Sequence, residues 1–191
     1  MISRNLKPGK QCEKAARTAS AVLTQVLRAF TYRDRTVLPR IYTQYIRPHL
    51  EFAVQAWAPW QRVDIDRLEN VQKRMGRQVT GLQGTTYEER LEELGMDTLE
   101  KRRMDQDMIQ AFKILKEVDD VDKTTWFTTM ENRQQRTRAA VGGHNLEGQL
   151  SRLELRRNFF SQRVVDMWNA LPNRTKSAKT VQEFKNLLRK K

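Results

Sequence analysis

Hydrophobic residues recur along most of this chain at spacings of three and four, which is the repeat of one face of an α-helix. The clearest stripe lies within residues 34–57, where it is formed by Ile41, Tyr45, Leu50, Ala53, Val54 and Trp57. Pro48 falls inside this stripe. Because proline lacks a backbone N–H and clashes with the preceding turn, we expect a kink or a fresh helix start there.

The same spacing predicts further helices over residues 10–31, 64–80 and 154–171. Strand-like alternation of polar and apolar residues is rare. We therefore predict a mainly α protein, a helical bundle with a short extended N-terminal lead-in at residues 1–9 and a loop or weak hairpin near residues 132–150.

Helix starts are marked by capping boxes, in which Ser, Thr or Asp is followed three residues later by Glu. Such pairs are Asp66 with Glu69, Thr85 with Glu88, Asp97 with Glu100, and Thr180 with Glu183. The third pair predicts a long helix that ends near Val118. We divide the chain into the lead-in, a helical bundle over residues 10–118 and a second helical region over residues 119–191. The residues predicted to form the core are Tyr45, Leu50, Phe52, Trp57, Leu68, Phe112, Phe159 and Trp168.

The charge of the chain points to an anionic partner. The net charge is +13, and it is concentrated at the two ends, with +7 in residues 1–60, −3 in residues 61–120 and +9 in residues 121–191. A basic protein of this kind suits nucleic acid first and a membrane surface second. Any single basic side chain is nevertheless more often part of a solvated helix face than a ligand contact.

The single cysteine, Cys12, excludes an internal disulfide and fits a reducing compartment. The N-terminus has no apolar run like that of a signal peptide, and no stretch approaches the roughly 20 apolar residues of a membrane helix. We expect a nuclear or cytoplasmic protein that is not secreted and has no membrane partner.

The residues show no catalytic or metal-binding motif. Two histidines and one cysteine do not make a zinc site. There is no glycine-rich phosphate loop, no Gly-x-Ser-x-Gly, and no pair of aspartates on a strand-like run such as a two-metal polymerase needs. We expect a non-catalytic module without a cofactor, a bound metal or a small-molecule substrate.

Several motifs nevertheless stand together in one order. They are ISRNLKPGKQC at residues 2–12, YTQYIRPHLEFAVQAWAP at 42–59, DIDRLENVQKR at 64–74, YEERLEELG at 87–95, LEKRR at 99–103, RTR at 136–138 and RNFFSQRVVDMWNALP at 157–172. In this order they resemble the carboxy-terminal part of the reverse transcriptase of jockey-like (LINE-type) non-LTR retrotransposons.

The resemblance implies a thumb-like helical bundle that grips a template–primer duplex, followed by a post-thumb region. Residues 1–9 resemble the last strand of the polymerase palm. The catalytic Asp-Asp motif, the fingers and the endonuclease of the parent are absent, so polymerase activity is not carried over and magnesium would belong to the missing palm. The implied partners are an RNA–DNA hybrid or DNA, bound through the phosphate backbone, and the palm and fingers of the parent.

The residues expected to contact phosphates lie on three predicted helices. They are Arg67, Lys73, Arg74, Arg77, Arg102, Arg103, Arg156, Arg157 and Arg163. Two other interpretations of the sequence remain. The aromatic stripe at residues 42–60 would suit a helical protein-interaction module that binds another protein or itself, and the chain would also fit a non-functional relic of a mobile element.

Overall fold

The structure, a computed structural model, describes residues 7–130 and 145–189. The predicted mainly α class is confirmed, and within these ranges the structure contains no β-sheet. An isolated antiparallel bridge joins Thr129 to Leu146. Most of the predicted lead-in and most of the predicted loop or hairpin lie outside the described residues.

The chain forms two compact units, Met1–Arg103 and Met104–Lys191. The division falls within a helix, Leu99–Leu115, and so lies earlier than the boundary at residue 118 that the sequence predicts. Each unit has its own hydrophobic core.

Unit 1 begins with a long amphipathic helix and continues through several shorter ones. Its helices are α1 (Gly9–Ala29), α2 (Val37–Ile41), α3 (Arg47–Glu51), α4 (Val54–Trp57), α5 (Arg62–Arg77), α6 (Tyr87–Glu93) and the first turn of α7 (Leu99–Leu115). The core lies mainly between α1, the α2–α3 segment and α5, and includes Leu23, Leu38, Leu50 and Leu68, all fully buried.

The helix predicted over residues 34–57 is interrupted twice. A single π-helical turn, Tyr42–Ile46, separates α2 from α3, and Pro48 lies in the first turn of α3. The predicted fresh start at this proline is therefore confirmed, since a missing N–H costs nothing there. A second break follows α3, where Ala53 adopts a left-handed conformation with φ 50°.

Two predicted core positions in this segment are wrong. Tyr45 is 61% exposed and Phe52 is 79% exposed. Tyr45 belongs to the stripe counted on a regular helix, and the π turn changes the face on which it falls. Phe52 follows α3 two positions after the buried Leu50, and so lies on the opposite side of the helix from it. Leu50 is fully buried as predicted, and Trp57 is partly buried against the core, its Nε1 donating to the carbonyl of Phe52 at 2.8 Å.

A buried polar network crosses the core of unit 1. Tyr42 Oη donates to Gln72 Oε1 at 3.0 Å, and Gln72 Nε2 donates to Tyr87 Oη at 2.9 Å and to the carbonyl of Asp97 at 3.0 Å. The Tyr87 hydroxyl in turn donates to Glu69. Because buried polar groups are costly without partners, this network fixes the positions of α5, α6 and the turn before α7 relative to one another.

Unit 2 packs short helices against the rest of α7. They are α8 (Lys123–Trp126), α9 (Glu154–Arg157), α10 (Phe160–Asn169), α11 (Asn173–Lys176) and α12 (Val181–Arg189). Phe112 stacks on Phe184 with ring centroids 4.4 Å apart, and Trp168 lies on the same ring at 5.9 Å. Phe112 and Trp168 are buried as predicted, but Phe159 is 46% exposed because the predicted helix breaks between α9 and α10.

The caps differ from the predicted boxes in three of the four places. Helix α6 is capped by Thr86 with Glu89, one residue later than predicted, and Thr98, not Asp97, caps α7 through the N–H of Lys101. Asp66 lies inside α5. Thr180 caps the last helix as predicted, since the N–H of Glu183 donates to Thr180 Oγ1 at 3.1 Å, while the Glu183 carboxylate accepts the N–H of Lys179 at 2.8 Å.

Candidate nucleic-acid interface

An open groove runs between α1 and α5 on the surface of unit 1. It has a volume of about 380 Å³. Its lining comes from α1 through Glu13, Ala16, Arg17 and Ser20, and from α5 through Arg67, Asn70, Val71 and Arg74. We call this feature the α1–α5 groove.

Helical spacing places the basic side chains of the groove. Arg67 and Arg74 are seven residues apart on α5, which is close to two full turns, so both lie on the same face. Glu13, Arg17 and Ser20 follow the spacing of four and three on α1. Three guanidinium groups therefore share one groove with one carboxylate.

Arg74 is the cation of the groove whose charge is least neutralised. Its Nη2 donates to the hydroxyl of Thr24 at 3.1 Å, and among the described residues no carboxylate forms an ion pair with it. Arg17 forms an ion pair with Glu13 at 2.6 Å, but both side chains are more than half exposed, so water and salt screen the pair. Arg67 is bound to the buried Asp64 at 2.6 Å.

The other two predicted contacts on α5 lie away from this groove. Lys73 Nζ lies over the ring of Tyr87, 5.2 Å from its centroid, and so faces α6. Arg77 is exposed in the last turn of α5, where a cation also complements the helix dipole. Of the four basic residues predicted on this helix, Arg67 and Arg74 line the groove.

Two residues at the start of α7 are predicted to contact phosphates. Arg102 forms an ion pair within the protein, and Arg103 is buried. Arg102 donates from Nε and Nη2 to the two oxygens of Glu51, and these hydrogen bonds raise the pKa of Arg102. Arg103 is 5% exposed, its terminal nitrogens have no hydrogen-bond partner, and burial lowers its pKa. An external phosphate cannot reach Arg103, which corrects the prediction for that residue.

The three predicted phosphate contacts in unit 2 are Arg156, Arg157 and Arg163, and they differ in their surroundings. Arg163 donates from Nε and Nη2 to the buried carboxylate of Asp107, at 2.8 and 2.9 Å, so it has a structural role and the prediction of a phosphate contact is corrected. Arg156 and Arg157 are exposed. Arg156 Nη2 donates to Gln149 Oε1 at 2.8 Å, and its guanidinium lies over the ring of Phe159.

The contribution of α1 to the groove is not predicted by the sequence, in which any single basic side chain is more often part of a solvated helix face. Arg17 lies off the apolar stripe, and nothing in the order of residues tells which other helix stands beside that face. The seven-residue spacing of Arg67 and Arg74 places both on one face of α5. This spacing could have pointed to Arg17 only with the further knowledge that α1 packs beside α5.

The described residues offer little for covalent or metal chemistry. No group of three or more His, Cys, Asp or Glu among them is placed to hold a metal ion. Cys12 is fully buried, and burial raises the pKa of its thiol to about 12, so the nucleophilic thiolate is disfavoured.

Comparison of the chain with protein-family models, with curated proteins and with solved structures finds no match. In the part of the chain that the structure describes, no helix combines the length and the apolar composition needed to cross a membrane. The structure defines the class only as a mainly helical protein, and the sequence adds its strongly basic charge.

Proposed function

We propose that this protein is a non-catalytic module that grips nucleic acid through the phosphate backbone in the α1–α5 groove. The observation that carries the proposal is the position of Arg74, a cation with no carboxylate partner among the described residues, beside Arg17 and Arg67 in one open groove. Guanidinium groups bind phosphate oxygens through paired N–H donors, which suits such a groove to a sugar–phosphate strand.

Binding of this kind is independent of base sequence and falls steeply with salt, because each neutralised phosphate releases condensed counterions. The net charge of +13 adds long-range attraction to the local contacts. Arg77, at the end of α5, is available to extend the contact along a strand.

The proposal extends to the origin of the chain. The motifs that resemble the thumb and post-thumb part of a non-LTR retrotransposon reverse transcriptase support a C-terminal fragment of an RNA-directed DNA polymerase. The preferred ligand is then an RNA–DNA hybrid, the shape that a polymerase thumb holds. Magnesium and the polymerase aspartates would belong to the palm of such an enzyme.

The test measures binding of the full chain to labelled RNA–DNA hybrid, duplex DNA and single-stranded DNA over a range of salt. The informative variant is Arg17→Ala with Arg74→Ala, since both side chains can be removed without leaving a buried charge unpaired. Arg67 is kept, because its loss would leave the buried carboxylate of Asp64 without its cation. The double variant should weaken binding to hybrid and lower the slope of log K against log salt by about 2.

The matched control is Arg62→Ala on the same helix. Arg62 is exposed, forms ion pairs with Asp66 and Glu100, and is not part of the groove. It should change the salt slope far less than the double variant. Equal affinity and slope for the wild-type chain and the double variant would overturn the proposal.

A second candidate function is a helical protein-interaction module, and the exposure of Tyr45 and Phe52 favours it. These aromatic side chains stand seven residues apart and remain largely in solvent. If they form a contact surface, the chain should self-associate in sedimentation experiments and the variant Tyr45→Ser with Phe52→Ser should not. A clean monomer for both chains would remove support for self-association.

A further inference from the structure

A second surface with features of a ligand site lies in unit 2, at the corner between α9 and α10. Phe159 occupies this corner and is 46% exposed. Its ring is parallel to that of Trp126, with an interplanar angle of 3° and centroids 6.2 Å apart. Parallel rings at that distance are displaced sideways, so Trp126 does not cover Phe159 completely.

Packing and backbone hydrogen bonds hold Trp126 and Phe159 in place. The buried ring of Phe160 meets Trp126 edge-on, at 6.0 Å and 71°. The carbonyl of Phe159 accepts the N–H groups of Gln162 and Arg163 at 2.9 and 3.0 Å, which fixes the backbone at the corner. An aromatic surface that is already ordered loses little conformational entropy when a ligand binds to it.

One cation lies over the exposed ring, and two more lie close to it in the sequence. The Arg156 guanidinium lies over Phe159, with Cζ 5.5 Å from the ring centroid, so a flat charged group already occupies part of this face. Arg152 and Arg157 are exposed nearby in the sequence, and Glu154 is the carboxylate of α9. The combination of an exposed ring with several arginines is typical of surfaces that bind single-stranded nucleic acid.

We propose that this surface, the Phe159 platform (Trp126, Arg156 and Phe159), binds single-stranded nucleic acid by stacking an unpaired base on Phe159. Arg152 and Arg157 would then contact the phosphates on either side of that base. The inference rests on the proposed function in one respect, that nucleic acid is the partner, but it uses other residues and another form of the ligand. A paired base inside a duplex does not offer its face for stacking.

The occupant is assigned from the chemistry of the surface. Every base has a π face, so stacking on an aromatic ring is tolerant of sequence, and Arg adds a cation–π contribution. Leu150 and Leu153 are also exposed nearby in the sequence. They would favour a protein partner if apolar contact, and not stacking, were the main interaction, and the experiment separates the two.

The experiment uses the full chain and labelled single-stranded oligothymidylate at fixed salt. Phe159→Leu, which keeps an apolar side chain but removes the ring, should lower the affinity about tenfold, since one stacked base contributes that order of binding energy. Phe159→Trp should retain affinity. Leu153→Ala is the matched control, because it removes an exposed apolar side chain outside the platform, and it should leave affinity unchanged.

A second measurement follows Trp126 directly. Oligothymidylate should quench the fluorescence of the wild-type chain, and most of this quenching should be lost in Trp126→Phe. If Phe159→Leu binds oligothymidylate as the wild-type chain does, the platform is overturned. Loss of binding in Leu153→Ala equal to that in Phe159→Leu would also overturn it, because the ring would then contribute no more than any exposed apolar side chain.

The two proposals fail in distinguishable ways. Phe159→Leu should leave binding to a fully paired hybrid unchanged, and the Arg17→Ala and Arg74→Ala variant should still be quenched by oligothymidylate. If only the groove variant loses affinity for its ligand, the platform is overturned and the groove stands. If only the platform variants do, the groove is overturned and the platform stands.

Discussion

The guanidinium of Arg163 and the carboxylate of Asp107 face each other as a fork, with both nitrogen–oxygen distances at 2.9 Å or less. Asp107 is buried on α7, and Arg163 reaches it from α10. The pair joins residues that are 56 positions apart in the chain. A residue that the sequence suggests as a surface contact is therefore held by a buried carboxylate of unit 2.

Arg163→Ala should destabilise the protein strongly. The substitution leaves the buried Asp107 carboxylate without its cation, and breaking a buried pair in this way costs about 3–5 kcal/mol. Chemical denaturation of the full chain measures the effect. The control Arg157→Ala removes an exposed arginine nearby and should change the free energy of unfolding by less than about 0.5 kcal/mol. Equal stabilities for the two variants would contradict the structural role of Arg163.

Cys12 should give the protein a loss of stability at high pH. Burial raises the pKa of its thiol to about 12 in the folded state, from an ordinary value of 9.0. The protonated thiol is thus favoured by folding, and its contribution is complete below pH 9 and is lost as the pH rises towards 12. The free energy of unfolding of the wild-type chain should therefore fall more steeply between pH 9 and pH 10.5 than that of Cys12→Ala.

Other groups also titrate near this window, so the measurement is the difference between the two chains and not the profile of either one. Burial also raises the pKa of Tyr42 and of Tyr87 above the ordinary value of 10.0, and both are present in each chain, so their contribution cancels in the difference. A thiol reagent provides an independent check at neutral pH, where the buried Cys12 should react far more slowly in the folded chain than in denaturant. Identical pH profiles for the two chains would contradict the burial of the thiol.

Ala53→Gly should stabilise the protein. Ala53 has φ 50°, a left-handed conformation that costs an L-residue about 1 kcal/mol and a glycine nothing. The gain is offset in part by the greater freedom of glycine in the unfolded chain, so a net increase of about 0.5 kcal/mol is expected in the free energy of unfolding. Ala21→Gly on the exposed face of α1 is the control and should destabilise by about 1 kcal/mol. If both substitutions destabilise equally, Ala53 is not left-handed in the protein.

The periodic part of the fold could be predicted from the sequence because it depends on local spacing alone. The apolar stripes of α1 and α5 appear directly in the order of residues. The π turn at Tyr42–Ile46 and the left-handed Ala53 could not be predicted, because neither carries glycine or another local signal of a broken helix. The π turn accounts for the exposure of Tyr45, which a stripe counted on a regular helix places in the core.

The sequence identifies basic residues of the candidate site, but not the residues that each of them contacts. A run of basic residues shows where charge is, but the partner of each charge lies on another element. Arg102 meets Glu51 across 51 positions, and Arg163 meets Asp107 across 56. Arg74, by contrast, lies next to Thr24 of α1 and remains without a carboxylate among the described residues. Only the packing of the helices separates structural arginines from those available to a ligand.

The buried guanidinium of Arg103 has a consequence for the motions of unit 1. Its terminal nitrogens give up their bonds to water on folding and receive no hydrogen bond in return. A fluctuation that lets water reach this point therefore regains solvation that the closed state lacks. The first turn of α7 is thus expected to open locally at lower free energy than the centre of α1, and its amide hydrogens should exchange with solvent first.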